Sequence, residues 1–147
     1  MNASNMSPPQ ITPTTKPTNR NQLKVLLVDD DSFQLDLMTE ILKGLGISDV
    51  TEVTSGPKGL EKLSAKGAGF HLVLLDLHMP GMDGFQFMEA VANAGYTGSL
   101  VIVSGQSDDV MHAASLVARL RRFTLLGSVA KPVDPPALSR LIGQMGL

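Results

Sequence analysis

The sequence predicts an α/β fold: a doubly wound parallel sheet built from five βα units. Three observations carry that expectation. Short continuous apolar runs recur along the chain, as strands buried on both faces require. Between them lie segments with apolar residues at three- and four-residue steps, as helices packed on a sheet require. The two kinds of segment alternate, which implies parallel strands with helices on both faces.

The chain opens on "MNASNMSPPQITPTTKPTNRNQ", residues 1–22, rich in Pro, Thr, Asn and Ser with almost nothing to bury. Such a composition cannot offset the entropy of ordering, so a disordered tail is expected there and a folded domain over residues 23–147. The first strand is "KVLLV", Lys24 to Val28. Phe33, Leu37, Met38, Ile41, Leu42 and Leu45 then repeat with helical spacing, with Asp31 or Ser32 as the N-cap and Gly44 and Gly46 as a stop. A weaker strand, "VTEV" (Val50 to Val53), precedes a helix marked by Leu60 and Leu63 and opened by Ser55 and Pro57. "LVLL" (Leu72 to Leu75) is the third strand, followed by a helix through Phe85, Met88, Val91 and Ala92. "LVIV" (Leu100 to Val103) is the fourth, followed by Val110, Met111, Ala114, Val117 and Leu120 on a fourth helix. "TLLGSVA" (Thr124 to Ala130) is the fifth, and "DPP" at Asp134 to Pro136 opens a last helix through Leu138, Leu141, Ile142 and Met145. For five such units the flavodoxin-like (βα)5 strand order 2-1-3-4-5 is expected.

The bulk numbers bound the function. A chain of 147 residues is long enough for one domain with a proper core. Its formal net charge of -2 gives no sign of a nucleic-acid-binding surface. It has no cysteine, which excludes disulfides and thiolate metal sites. The N-terminal stretch lacks the apolar segment of a signal peptide, and no window reaches bilayer-spanning length. A soluble, cytoplasmic protein is expected.

The informative residues sit where the apolar runs stop. The first strand ends in Asp29, Asp30 and Asp31, the third in Asp76, the fourth in Ser104 and the fifth in Lys131, followed by Pro132. Ligands of open parallel sheets bind at the carboxyl ends of the strands, near the switch in strand order. The topology therefore gathers carboxylates, a hydroxyl and an ammonium on one rim. Crowded carboxylates repel unless a cation neutralises them. A few oxygen ligands with room for water favour Mg²⁺. One carboxylate can still act as a nucleophile and form an acyl phosphate, while Lys131 and Ser104 meet the charge of the phosphoryl group. Each residue also has a bland reading: a helix cap for the acidic run, a loop acid for Asp76, a surface lysine for Lys131. Their joint placement at strand ends favours a functional site.

The chain resembles the receiver domains of two-component response regulators over about residues 23–147. "VLLVDDDS" resembles their acidic pair after the first strand, "LVLLDLHMPGMDG" their phospho-acceptor motif, "VIVSG" their fourth strand ending in Ser or Thr, and "VAKP" their Lys-Pro after the fifth. The resemblance implies that Asp76 is phosphorylated by a histidine kinase or histidine phosphotransfer protein. It implies that Asp29, Asp30 and Asp76 hold Mg²⁺ with the backbone carbonyl of His78. It further implies that Ser104 and Lys131 contact the phosphoryl group and that the Lys131–Pro132 bond is cis. His78 and Gln106 flank the site. The His78 side chain either tunes acyl-phosphate hydrolysis or acts as a pH-sensitive gate, unless its main chain does all the work.

One position departs from the family pattern. Receivers usually carry Tyr or Phe three residues before the Lys, and here that position is Ser128. The long segment "SLVARLRRFTLLGSVAKPVD" is similar to receivers found ahead of EAL-type cyclic-di-GMP phosphodiesterase domains, although no EAL domain lies in this chain. That similarity implies an EAL-type output domain or a separate effector as partner, or a homodimer. The basic cluster Arg119, Arg121 and Arg122 is either a partner surface or a solvated helix end. The competing expectations are a haloacid-dehalogenase-type phosphatase, with "VDDDSF" supplying its D-x-D, and a degenerate receiver that only docks partners. The first leaves Asp76 and "MPGMDG" unexplained, and the complete acid, hydroxyl and lysine set weighs against the second. The expected role is a switch rather than an enzyme.

Overall fold

Apolar side chains on both faces of the central strands require helices on both sides, and that is the arrangement found. The computed structural model describes residues 10–12, 14–77, 79, 82–103, 112, 115–117 and 119–147. Strands β1 (Lys24–Val28), β2 (Asp49–Val53), β3 (Leu72–Leu75), β4 (Ser99–Val103) and β5 (Thr124–Val129) form one parallel sheet in the order β2-β1-β3-β4-β5. Helices α1 (Ser32–Gly44), α2 (Gly56–Ser64), α3 (Gly84–Asn93) and α4 (Pro135–Gly143) alternate with them. Of the segment expected as a helix after β4, residues 112, 115–117 and 119 are helical. Val110, Met111 and Ala114 lie outside the described residues.

The alternation of side chains along each strand splits the core in two. On one face, Leu26, Val28, Val73, Leu75, Leu100 and Ile102 pack with Leu63 of α2 and with Phe87, Met88 and Val91 of α3. On the other, Val25, Leu27, Leu72, Leu74, Val101 and Val103 pack with Leu35, Met38 and Leu42 of α1 and with Leu138 and Ile142 of α4. The apolar stripe of α1 is rotated from the one expected. Leu35, Met38 and Leu42 are buried, whereas Phe33 is 69% exposed and Leu37 40% exposed. Leu120, expected on a core-facing stripe, is 79% exposed.

The larger difference concerns the tail. Residues 10–12 and 14–22, expected to lack fixed structure, form a strap across the amino-terminal ends of the strands. The Ile11 N–H donates to the Ala94 carbonyl at 2.8 Å. Pro17 is buried. Arg20–Gln22 form a single 3-10 turn capped by the Asn19 side chain, which accepts from the Gln22 N–H at 3.2 Å. The Arg20 guanidinium then reaches the Leu45 carbonyl (3.2 Å), the Ser139 hydroxyl (3.0 Å) and the Leu147 carbonyl (3.3 Å). Composition misled here because a few anchors suffice, and most of them bind backbone carbonyls of the domain. Prolines also lower the entropy lost on ordering.

Candidate functional site

The carboxylates are placed by the sheet itself. Beyond β1, the Asp29 N–H donates to the Val53 carbonyl at 3.2 Å, and beyond β3 the Asp76 N–H donates to the Val28 carbonyl at 2.9 Å. Both acids therefore sit on rigid ladder extensions, and both are buried. The Asp31 N–H donates to Asp29 Oδ1 at 2.9 Å and orients that carboxylate. Asp31 itself accepts the Phe33 N–H at 3.0 Å and is the N-cap of α1, so the third acid of the run has a structural role. Asp30 is exposed and points its carboxylate into the cluster: one oxygen each of Asp29, Asp30 and Asp76 lie within 4.8 Å of one another.

Lys131 closes the group from the other side of β3. Its Nζ donates to Asp29 Oδ2 at 2.9 Å and to Asp76 Oδ2 at 3.3 Å. Partial burial works against the ammonium. The hydrogen bond to Asp29 and the charges of Asp29 and Asp76 outweigh that burial and hold its pKa above the ordinary lysine value. The Lys131–Pro132 bond is cis, as expected. Upstream, β5 carries a bulge: Leu100 pairs with Leu125 but Val101 pairs with Gly127, leaving Leu126 as the extra residue. Gly127 has φ +145, and a Cβ there would meet Leu141 at 3.0 Å. Ser128, at the position where receivers usually carry a ring, is exposed.

The structure thus brings together Asp29, Asp30, Asp76 and Lys131 from three strand ends. Ser104, His78 and Gln106, the other residues singled out in the sequence, lie outside the described residues. Three carboxylates with no nitrogen or sulfur donor suit a hard divalent cation, and the negative charge left after pairing with Lys131 supplies its attraction.

Sequence reading overlooked how the start of α3 is held against the end of β3. Gly84 abuts Leu77 so closely that a Cβ would lie 2.5 Å from the Leu77 Cα. Asp83 caps α3 in a reciprocal box: its carboxylate accepts the Gln86 N–H and the Gln86 side chain accepts the Asp83 N–H, both at 2.9 Å. The signal was present, since an Asp followed three residues later by Gln before an apolar run marks a helix start.

Comparison with known proteins agrees with this geometry. The family model of the response regulator receiver domain matches residues 25–142. The probable chemotaxis protein CheY of Rhizobium etli is 31% identical over 113 residues, 76% of this chain and 82% of that protein. The osmosensing histidine protein kinase SLN1 of Saccharomyces cerevisiae is 24% identical over 136 residues, which are 88% of this chain but only 11% of SLN1. Among solved structures, the CheY-like receiver domain protein of Methanospirillum hungatei JF-1 superposes with a TM-score of 0.67 at 27% identity, covering 84% of this chain and 93% of that one. The chain belongs to the response regulator receiver domain family of two-component signalling proteins.

Proposed function

We propose that the chain is a phosphorylation-dependent switch whose acceptor is Asp76 and whose donor is a histidine kinase or a histidine phosphotransfer protein. One observation carries the reading: three carboxylates share a rim with an ammonium that contacts two of them. An Asp76 carboxylate oxygen attacks the phosphorus of a phosphohistidine. The P–O bond forms, the P–N bond breaks, and the electron pair leaves on the imidazole nitrogen, which takes up a proton. Lys131 exchanges a carboxylate partner for a phosphoryl oxygen, and the Ser104 hydroxyl donates to another. Hydrolysis resets the switch when water attacks phosphorus and releases phosphate from Asp76.

Asp29, Asp30, Asp76 and the backbone carbonyl of His78 would hold Mg²⁺. When bound, that ion supplies positive charge against the phosphoryl group. Phosphorylation then shifts an existing equilibrium between arrangements of the face formed by the segment after β4, by β5 and by α4. With Ser128 in place of a ring, the shift travels through the loop after β4 or through dimer geometry. Its readers are an EAL-type output domain, a separate effector or a second copy of the chain, in the cytoplasm. Among the described residues no helix is long and apolar enough to cross a membrane.

The test is exposure to acetyl phosphate, and separately to beryllofluoride, with Mg²⁺, read by mass spectrometry and NMR. An adduct at Asp76, lost in Asp76→Ala, is expected; no adduct under either reagent defeats the proposal. Turnover of a generic phosphate ester that survives Asp76→Asn and fails in Asp29→Asn would point to a phosphatase instead.

A further inference from the structure

At the rim opposite Asp76, the strap and the sheet border a half-open cavity of about 400 Å³. Small-molecule sites occupy roughly 300–1,000 Å³ and combine an apolar body with a few polar groups. This cavity has that make-up. Phe70, Tyr96, Leu126 and Met145 supply apolar surface, and Thr14, Thr97, Ser99 and Gln144 offer hydroxyl and amide groups. Its charge is one-sided: Lys16 lines it, and no acidic residue does among the described residues, in a chain whose net charge is negative.

The outer wall is fastened along its length. Ile11 is tied to Ala94 as described above. In the middle, His71 clamps the strap to the sheet. The Lys24 N–H donates to Nδ1 at 2.9 Å, which fixes the ring proton on Nε2, and Nε2 donates to the Thr15 carbonyl at 2.9 Å. At its far end Arg20 anchors the strap to α1 and α4. The floor is fixed as well: the Tyr96 side chain is buried and its hydroxyl donates to the Ser99 carbonyl at 2.7 Å.

We propose that this cavity is a binding site for a small anion with an aromatic or otherwise apolar body, such as a ring-bearing carboxylate or sulfonate. The apolar part lies on Phe70, Tyr96 and Met145, and the acidic group faces Lys16. The site is independent of the phosphoryl chemistry, because it shares no lining residue with the carboxylate cluster.

The 147-residue chain is titrated with anilinonaphthalene sulfonate, following the His71 ring protons by NMR, with naphthalene methanol as an uncharged comparison. Saturable single-site binding that shifts His71 is expected, and the uncharged compound binds more weakly. Lys16→Glu weakens the sulfonate by about tenfold, while its response to beryllofluoride at the other rim is unchanged. Thr97→Trp, at an exposed loop position of the lining, fills the space and abolishes binding, with circular dichroism and the unfolding midpoint reporting an intact fold. Absence of a saturable His71 shift at millimolar probe overturns the proposal. Equal affinity in Lys16→Glu, or undiminished binding in a folded Thr97→Trp, does the same.

Discussion

Replacing Asp30 by Asn separates the two roles of the carboxylate cluster, because metal-free stability and metal response should move in opposite directions. Asp30 is exposed, and no hydrogen bond to its side chain is found among the described residues. Its contribution to the metal-free fold is therefore mainly repulsion from Asp29 and Asp76, at separations up to 4.8 Å. In a water-like dielectric each such pair costs about 1 kcal/mol. Lys131, 2.9 Å from Asp29 and 3.3 Å from Asp76, offsets part of the two-pair sum. A net gain of about 1 kcal/mol is expected for Asp30→Asn in chelator at low salt, a rise in the unfolding midpoint of roughly 3 °C. The gain should shrink as salt screens the cluster. Saturating Mg²⁺ reverses the order. At a hundredfold excess over Kd the parent gains about 2.7 kcal/mol from binding, and the variant, short of one ligand, gains much less. Asp29→Asn is the contrast: it weakens the acceptors for the Asp31 N–H and for Lys131, and it destabilises with or without the ion. Thermal unfolding in chelator and in Mg²⁺, at two salt concentrations, reads all of this. If Asp30→Asn is less stable than the parent in chelator, or if Mg²⁺ raises both midpoints equally, the carboxylates do not form a shared cation site.

Three further outcomes are expected. Burial pushes the Tyr96 phenol far above its ordinary value of 10.0, and Lys131 is also raised above 10.5. Both shifts contribute stability that is present below those ordinary values and is lost as pH rises beyond them. Tyr96 is the sole tyrosine, so phenolate absorbance should appear only together with loss of the circular dichroism signal; reversible ionisation near pH 10 with the fold intact would contradict its burial. Gly84→Ala drives a Cβ against the Leu77 backbone and should destabilise by about 2 kcal/mol in a denaturant titration, and an unchanged midpoint would show that Gly84 does not lie against Leu77 as described. Arg20→Ala removes the fastening of the strap to α1 and α4 and should cost about 2 kcal/mol, with proteolysis of residues 10–22 accelerated; equal protection in the variant would mean the strap is held elsewhere.

The sheet was legible in the sequence because doubly buried strands leave continuous apolar runs, and "KVLLV", "LVLL" and "LVIV" appear as β1, β3 and β4 within a residue of the expected bounds. The joint position of Asp29, Asp30, Asp76 and Lys131 was legible for a related reason: a parallel order places successive strand ends on one rim. The face of α1 was misjudged because Phe33 is apolar yet sits in the first turn, beside the exposed rim rather than over the sheet. The strap was illegible because most of its hydrogen bonds from Ile11 and Arg20 go to main-chain carbonyls, which have no letter in a sequence. The bulge in β5 was hidden for a similar reason. Gly127 is compatible with it but does not reveal that Leu126 is the residue skipped.

That skipped residue makes arithmetic part of the site. Side chains along a strand alternate between faces, so the extra Leu126 reverses odd and even for everything that follows, including the approach to Lys131. A chain of the same length that paired Leu126 with Val101, leaving no residue out, would keep every charged group in its composition, yet move each later side chain by one place and send the ammonium to the wrong side of the sheet. The spacing before "KP" is thus as much a determinant of the rim as the lysine itself.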